Sequence, residues 1–381
     1  MRVKALATVV LLITYGSLYP FDFRAADDPL AAIAALLADR QWWTSRGDVL
    51  GNVGLFVPLG LVGVLWTSGP AARRRAVLVT VLGGFTLAFA LQVVQIWIAS
   101  RSAVFADVIW NALGIVIGII AGLVAASPAV LRRVSLGAGT SSAVCLLAIW
   151  AVAELAPLVP AIDFGGIKAS LRPLVRAPVI DGPQLAYTAA QVLLVSRLVS
   201  AITSAGRANA ILAAILAAVL AGKVVIVDLV LDWTTVAGFT LGLLGSVLLR
   251  RGPGRPVPSE AVLLLLLSTY TLGAMAPFSF GPSRTFFWIP FAAALDGSML
   301  SNLRAISTAA FALGGCAWLM RDLGWSAVPA VGGLAAWALM LEVTQMWVAG
   351  RTASTNEPVL ALLAGWLLWH VESGRDGSGR D

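Results

Sequence analysis

Residues 341–352 read LEVTQMWVAGRT and place an acid, an amide and a guanidinium, Glu342, Gln345 and Arg351, inside an otherwise apolar run. An acid beside an arginine can serve acid–base chemistry with charge stabilisation. A guanidinium also grips phosphate or carboxylate through two parallel hydrogen bonds. The same groups can equally satisfy one another and lock a helix hairpin, at a depth where burial costs less than at the bilayer centre. Residues 91–102, LQVVQIWIASRS, say nearly the same thing 250 positions earlier, with Leu91, Val93, Gln95, Trp97, Ala99 and Arg101 identical in six of twelve places.

In the earlier copy Gln92 stands where Glu342 does, Asp107 where Glu357 does, and Asn111 where Ala361 does. Gln92 and Gln95 are three apart and share a helix face. Asp107 falls near the start of the next helix, where a carboxylate suits the backbone dipole. Asp107, Asn111, Gly114 and Gly118 form one stripe, in which glycines admit a close neighbour and Asn111 can hydrogen-bond across the contact. Asp48, Asn52 and Phe56 share a face in DVLGNVGLFVPLG, where Pro58 and Gly60 are expected to bend or loosen the helix. Asn302 and Arg304 sit near the outer end of a later run, with Arg304 placed for an anionic headgroup. Lys223 lies five residues before Asp228 and reads as half of a structural ion pair; Arg197 is expected to snorkel inward; Glu154 has no expected partner.

These groups need a membrane frame. The 381 residues are 59% hydrophobic and 12% charged, with mean hydropathy +0.90, whereas soluble chains carry about 25% charged residues. The net charge of +7 does not indicate nucleic acid, because the basic residues form small groups between apolar runs. Cys145 and Cys316 read as two buried small hydrophobes, and His370, the single histidine, as an interface residue. No metal or other cofactor is expected.

Runs of membrane length occur at about 4–20, 49–67, 76–98, 105–126, 142–160, 184–204, 208–229, 234–250, 260–277, 300–320, 326–348 and 356–371. The first has a basic start like a signal peptide but no convincing cleavage site after it, and reads as a retained span. Fourteen Lys/Arg fall in the connectors assigned to the inside and nine in those outside, which puts both termini in the cytoplasm of a bacterial cytoplasmic membrane. The fold expected is all-α and polytopic, about twelve transmembrane helices in three parallel repeats of four: 1–128, a degenerate 140–250, and 260–371, then a short disordered tail, 372–381. Each repeat opens with a Pro/Phe signal, YPFDF, VPAIDF or APFSF. Each then has an outer interfacial segment, with Trp42, Trp43 and Trp288 at headgroup level.

The polar turn and the N-x-x-x-F-x-P-x-G pattern of Asn52, Phe56, Pro58 and Gly60 resemble the VanZ-like family, whose members show E-x-x-Q, then R, then D-x-x-x-N-x-x-G. Gln92, Gln95, Arg101, Asp107, Asn111 and Gly114 match those places, with an amide for the family's acid. Glu342, Gln345 and Arg351 match them again, and Ile289-Pro290-Phe291 resembles the family's I-P-F before the second helix, but the F-x-P-x-G piece is missing there. The middle repeat carries Lys223, Asp228 and Asp232 near the turn, in unclear register. The founding member is linked to low-level teicoplanin resistance, so the resemblance implies a cell-envelope context rather than a particular reaction.

Three functions fit. The first is binding of a membrane lipid, lipid-linked envelope precursor or glycopeptide-like ligand from the outer leaflet, with Arg101, Arg304 and Arg351 meeting an anion. The second is an envelope-lipid-modifying enzyme with Glu342 or Asp107 as acid/base, and the third a transporter or flippase. Binding ranks first, because no histidine, serine elbow or metal cluster supports catalysis and parallel repeats do not match the inverted scheme of many transporters.

Overall fold

The computed structural model describes residues 2–25, 28–39, 41–42, 46–65, 67, 69–125, 140–156, 164–176, 179–204, 206–250, 252, 255–282, 285–292 and 299–376. Trp43, Asp163, Asp296, several loop arginines, most of VPAIDF and the side chain of His370 lie outside the described set.

The described residues are all-helical apart from isolated bridges. In chain order the helices are α1 Arg2–Leu18, α2 Pro29–Ala38, α3 Arg46–Leu65, α4 Pro70–Gln95 and α5 Phe105–Ala125, then α6 Thr140–Leu155, α7 Phe164–Arg176, α8 Gly182–Ile202, α9 Ala208–Val225 and α10 Trp233–Leu248. After these come α11 Ser259–Met275, α12 Met299–Asp322, α13 Ala327–Gln345 and α14 Asn356–Asp376. Each of the twelve expected runs contains one helix, and α2 and α7 are the two extra.

The count of twelve spans is not exact. Seven helices, α3, α4, α5, α8, α9, α12 and α13, are long and apolar enough to cross a membrane; α1, α2, α6, α10 and α11 are apolar but shorter. The protein is a polytopic membrane protein on that composition. α14 continues to Asp376, so the chain is still helical where a tail was expected from 372.

The segments expected at the outer interface differ from one another. α2 is capped by the Asp28 carboxylate, which accepts from the Ala31 amide at 3.0 Å. α7 sets Lys168, Arg172 and Arg176 four apart on one face, as a helix lying at an interface does. The third segment is extended: the Phe287 amide donates to Ala353 O at 2.9 Å and the Thr355 amide to Phe287 O at 3.2 Å.

Two compact units are present. Unit 1 holds residues 1–134 and 292–302, and unit 2 residues 135–291 and 303–381. Unit 1 packs around Phe56, Leu59, Ala88, Leu91, Val108 and Ile115. Its seam is α3 against α5. A Cβ on Gly114 would lie 2.2 Å from Val53 O, one on Gly118 2.1 Å from Val57 O, and one on Gly122 2.9 Å from Leu61 O. The contacts climb together along both helices, so α3 and α5 run parallel with backbones touching. α3 passes through Pro58 as one helix, and Gly60 serves this close approach rather than a break.

Unit 2 is built on α8, of whose span 61% is buried against 28% for α9. Trp150 packs between Phe239 and Phe311, with centroids 6.1 and 6.4 Å away. α8 and α10 repeat the parallel glycine seam: Gly238 meets Thr188 and Gly242 meets Val192 and Ala189. Cys316 is buried in this core, but Cys145 is exposed on α6, contrary to expectation. It shares its outward side of α6 with the neighbouring Val144, which is also exposed.

Candidate functional site

Each polar turn is built by the same hydrogen bonds. In unit 1 the Ile98 amide donates to Gln95 O at 3.0 Å and the Arg101 amide to Ile98 O at 3.2 Å. In unit 2 the Val348 amide donates to Gln345 O at 3.0 Å and the Arg351 amide to Val348 O at 3.3 Å. Each turn then pairs with the chain leaving an earlier helix, α1 in unit 1 and α11 in unit 2. The Arg24 amide donates to Trp97 O and the Ala99 amide to Asp22 O; the Gly281 amide donates to Trp347 O and the Ala349 amide to Ser279 O. The last turn of an α-helix leaves carbonyls without partners, and the turn's side chains supply donors. Gln95 Nε2 donates to Ser17 O at 2.7 Å and Arg101 Nε to Tyr19 O at 2.9 Å. Arg351 Nε donates to Ala276 O at 2.8 Å, and its Nη2 to Gly273 O.

The acidic positions follow the same plan. Gln92 accepts from the Val104 amide at 3.0 Å and donates to Asp107 Oδ2 at 3.2 Å. Glu342 accepts from the Ser354 amide at 2.5 Å. Asp48 is close enough to act electrostatically on Asp107. One oxygen of Asp107 and that of Asn111 are buried without a partner, so Asn111 makes no bond across the seam through its oxygen. Asn52 is half-buried one turn beyond Asp48.

The middle turn has the same link, the Leu229 amide to Ile226 O at 3.4 Å. Counted from it, Lys223 takes the place of Gln95 and Gln345, and Leu229 that of the arginines. Lys223 pairs with Glu154 at 2.7 Å, both largely buried. This corrects the expected Asp228 pairing and gives Glu154 its partner. Asp228 instead sits in the turn with φ +60°, and Asp232 caps α10 through the Thr235 amide at 2.7 Å. Arg197 does not simply reach for water: it joins Asp322 at 2.8 Å and Ser259 at 3.0 Å and lies over Trp318.

Unit 2 holds a polar cavity of about 450 Å³ against its turn. Glu342, Gln345, Arg351 and Glu357 line it, together with Gln184 and Tyr187 of α8, Tyr270 of α11 and Thr308 of α12. Glu342 is 3% exposed and Tyr187 8%. The Tyr187 hydroxyl is buried without a hydrogen-bond partner. Arg304 is half-buried one residue from the lining and is not part of it, and Asn302 belongs to unit 1. Gln184, Tyr187, Thr308 and Tyr270 were not foreseen. Gln184, Tyr187 and Gln191, at i, i+3 and i+7, do form a polar stripe on an apolar helix. A larger opening of about 630 Å³, at residues 69–74 and walled by Val77, Leu78 and Val81, has apolar walls.

An all-helical, multi-span frame with polar turns tied to helix ends defines a polytopic membrane protein. Residues 5–126 match the family model described as VanZ/LLP1. No curated protein and no solved structure matches the chain.

Proposed function

We propose that the protein is a non-catalytic binding protein of the bacterial cell envelope, which receives the polar group of a lipid or lipid-linked envelope molecule in the unit 2 cavity. The observation that carries this reading is the convergence of carboxyls, amides and phenols from α8, α11, α13 and α14 on one space between membrane helices. Ionisable groups there are expensive, and function is the default reason for keeping them. Arg351 lines the space but is committed to Gly273 and Ala276, which favours a ligand that donates hydrogen bonds over an anion. The VanZ-like unit supports an envelope context, with a part in teicoplanin-type tolerance. The Lys/Arg distribution supports access from the outer leaflet, with both termini cytoplasmic. The shared turn hydrogen bonds support descent from one duplicated four-helix unit.

Lipid extraction and mass spectrometry of the purified full chain tests the reading. One lipid class should be enriched over the host membrane, and Ala305→Trp, which fills the cavity, should remove it. Equal lipid profiles in the two proteins would overturn the proposal.

A further inference from the structure

Resting on that reading, we infer that the group received in the unit 2 cavity is an ammonium, carried by a lipid headgroup or by an amino sugar. Three independent features of the cavity fit this chemistry. Glu342 and Glu357 both line the cavity, and Glu342 is buried there. Among the described residues neither acid joins an ion pair, and the nearest guanidinium on the lining, Arg351, is turned to backbone carbonyls. The cavity therefore has two carboxyl groups on its lining and no cation committed to them.

The Tyr187 hydroxyl is the second feature: it belongs to a residue only 8% exposed, stands on the lining and has no hydrogen-bond partner. Its oxygen needs a donor. The third is an aromatic wall. Tyr187 and Tyr270 stand edge to face with centroids 5.8 Å apart, and Trp337 backs Tyr270 at 5.6 Å. Aromatic faces attract cations, most strongly away from water. An ammonium carries three N–H donors and no acceptor, which suits two carboxyl groups and a phenol oxygen. A phosphate would bring acceptors to acceptors.

The unit 1 turn makes a useful contrast within the same chain. There Gln92 replaces Glu342, and its amide already satisfies Asp107 Oδ2. Unit 2 has no side-chain amide at that place, and the ammonium supplies the N–H donors.

The test is native mass spectrometry of the full-length protein in detergent, titrated with phosphatidylethanolamine, N-acetyl-phosphatidylethanolamine and phosphatidylglycerol. Free ethanolamine and glucosamine are added as competitors. Phosphatidylethanolamine should be retained at least tenfold better than the other two lipids, and Glu342→Gln should abolish the preference. Tyr187→Phe should weaken it several-fold. Competition by ethanolamine assigns the ammonium to a lipid headgroup, and competition by glucosamine alone assigns it to a sugar. Equal retention of all three lipids, lost together in Ala305→Trp, would overturn the ammonium inference and leave the binding reading standing. Retention unchanged in Ala305→Trp would overturn both. Glu342→Gln keeps an acceptor for the Ser354 amide, so it reads binding rather than folding.

Discussion

Arg351 reaches from its turn to the carbonyl of Ala276 at 2.8 Å, and Arg101 reaches to that of Tyr19 at 2.9 Å. Each arginine closes the end of a first helix onto the turn before a fourth. Hydrogen bonds from charged donors contribute about 1.5–3 kcal/mol each. Arg101→Ala and Arg351→Ala should each lower stability by roughly that amount, whether or not a ligand is present. Thermal melting of the detergent-purified protein checks this; unchanged melting in both would mean the contacts carry no weight.

The glycine seam of α3 and α5 gives a sharper contrast. Gly114→Ala and Gly118→Ala drive a methyl against Val53 O and Val57 O, and overpacking of this kind typically costs about 1–3 kcal/mol. Gly54 and Gly83 face open space, with nothing within 4 Å of where a Cβ would sit. Their alanine variants should melt at or slightly above the parent, because alanine is the better helix former.

Glu154 and Lys223 should behave as a pair. Lys223→Met alone, or Glu154→Leu alone, leaves a buried charge and should cost about 3–5 kcal/mol. The double variant should recover most of it. Denaturation of the four proteins in a double-mutant cycle decides, and additive losses would show that the two side chains do not act on each other.

Glu342→Gln should fold as the parent does, to within about 1 kcal/mol, because it recreates in unit 2 the arrangement of Gln92, Val104 and Asp107 in unit 1. Glu342→Leu should not, since it strands the Ser354 amide. Comparing the two melting temperatures separates loss of charge from loss of hydrogen bonds.

The helices are legible in the sequence because long apolar runs and Pro/Gly punctuation are local signals. The stripe from Asp107 to Gly118 likewise marks the α5 face of the α3–α5 seam. Partner choice is not legible. Nothing in the spacing of Lys223 names Glu154, 69 residues away, over the nearer Asp228. The arginines show the same limit: their type suggests an anion, while the carbonyls they satisfy are backbone groups that every residue carries. Tyr187 and Tyr270 look like ordinary core aromatics until α8 and α11 are brought together. Composition alone places Cys145 inward, and composition does not say which side of a helix meets lipid.

The parallel run of α3 and α5 also sets an electrostatic polarity. Two helices pointing the same way start at the same end, and each start carries about half a positive charge from its aligned peptides. Asp48 and Asp107 lie in those two first turns. Two carboxylates that would otherwise repel thus share a cathode-like surface made by the backbone itself, in a medium that screens it little. Reversing either helix would turn that support into opposition, so the direction of the chain, and not only its side chains, is what lets this end of the unit hold acid.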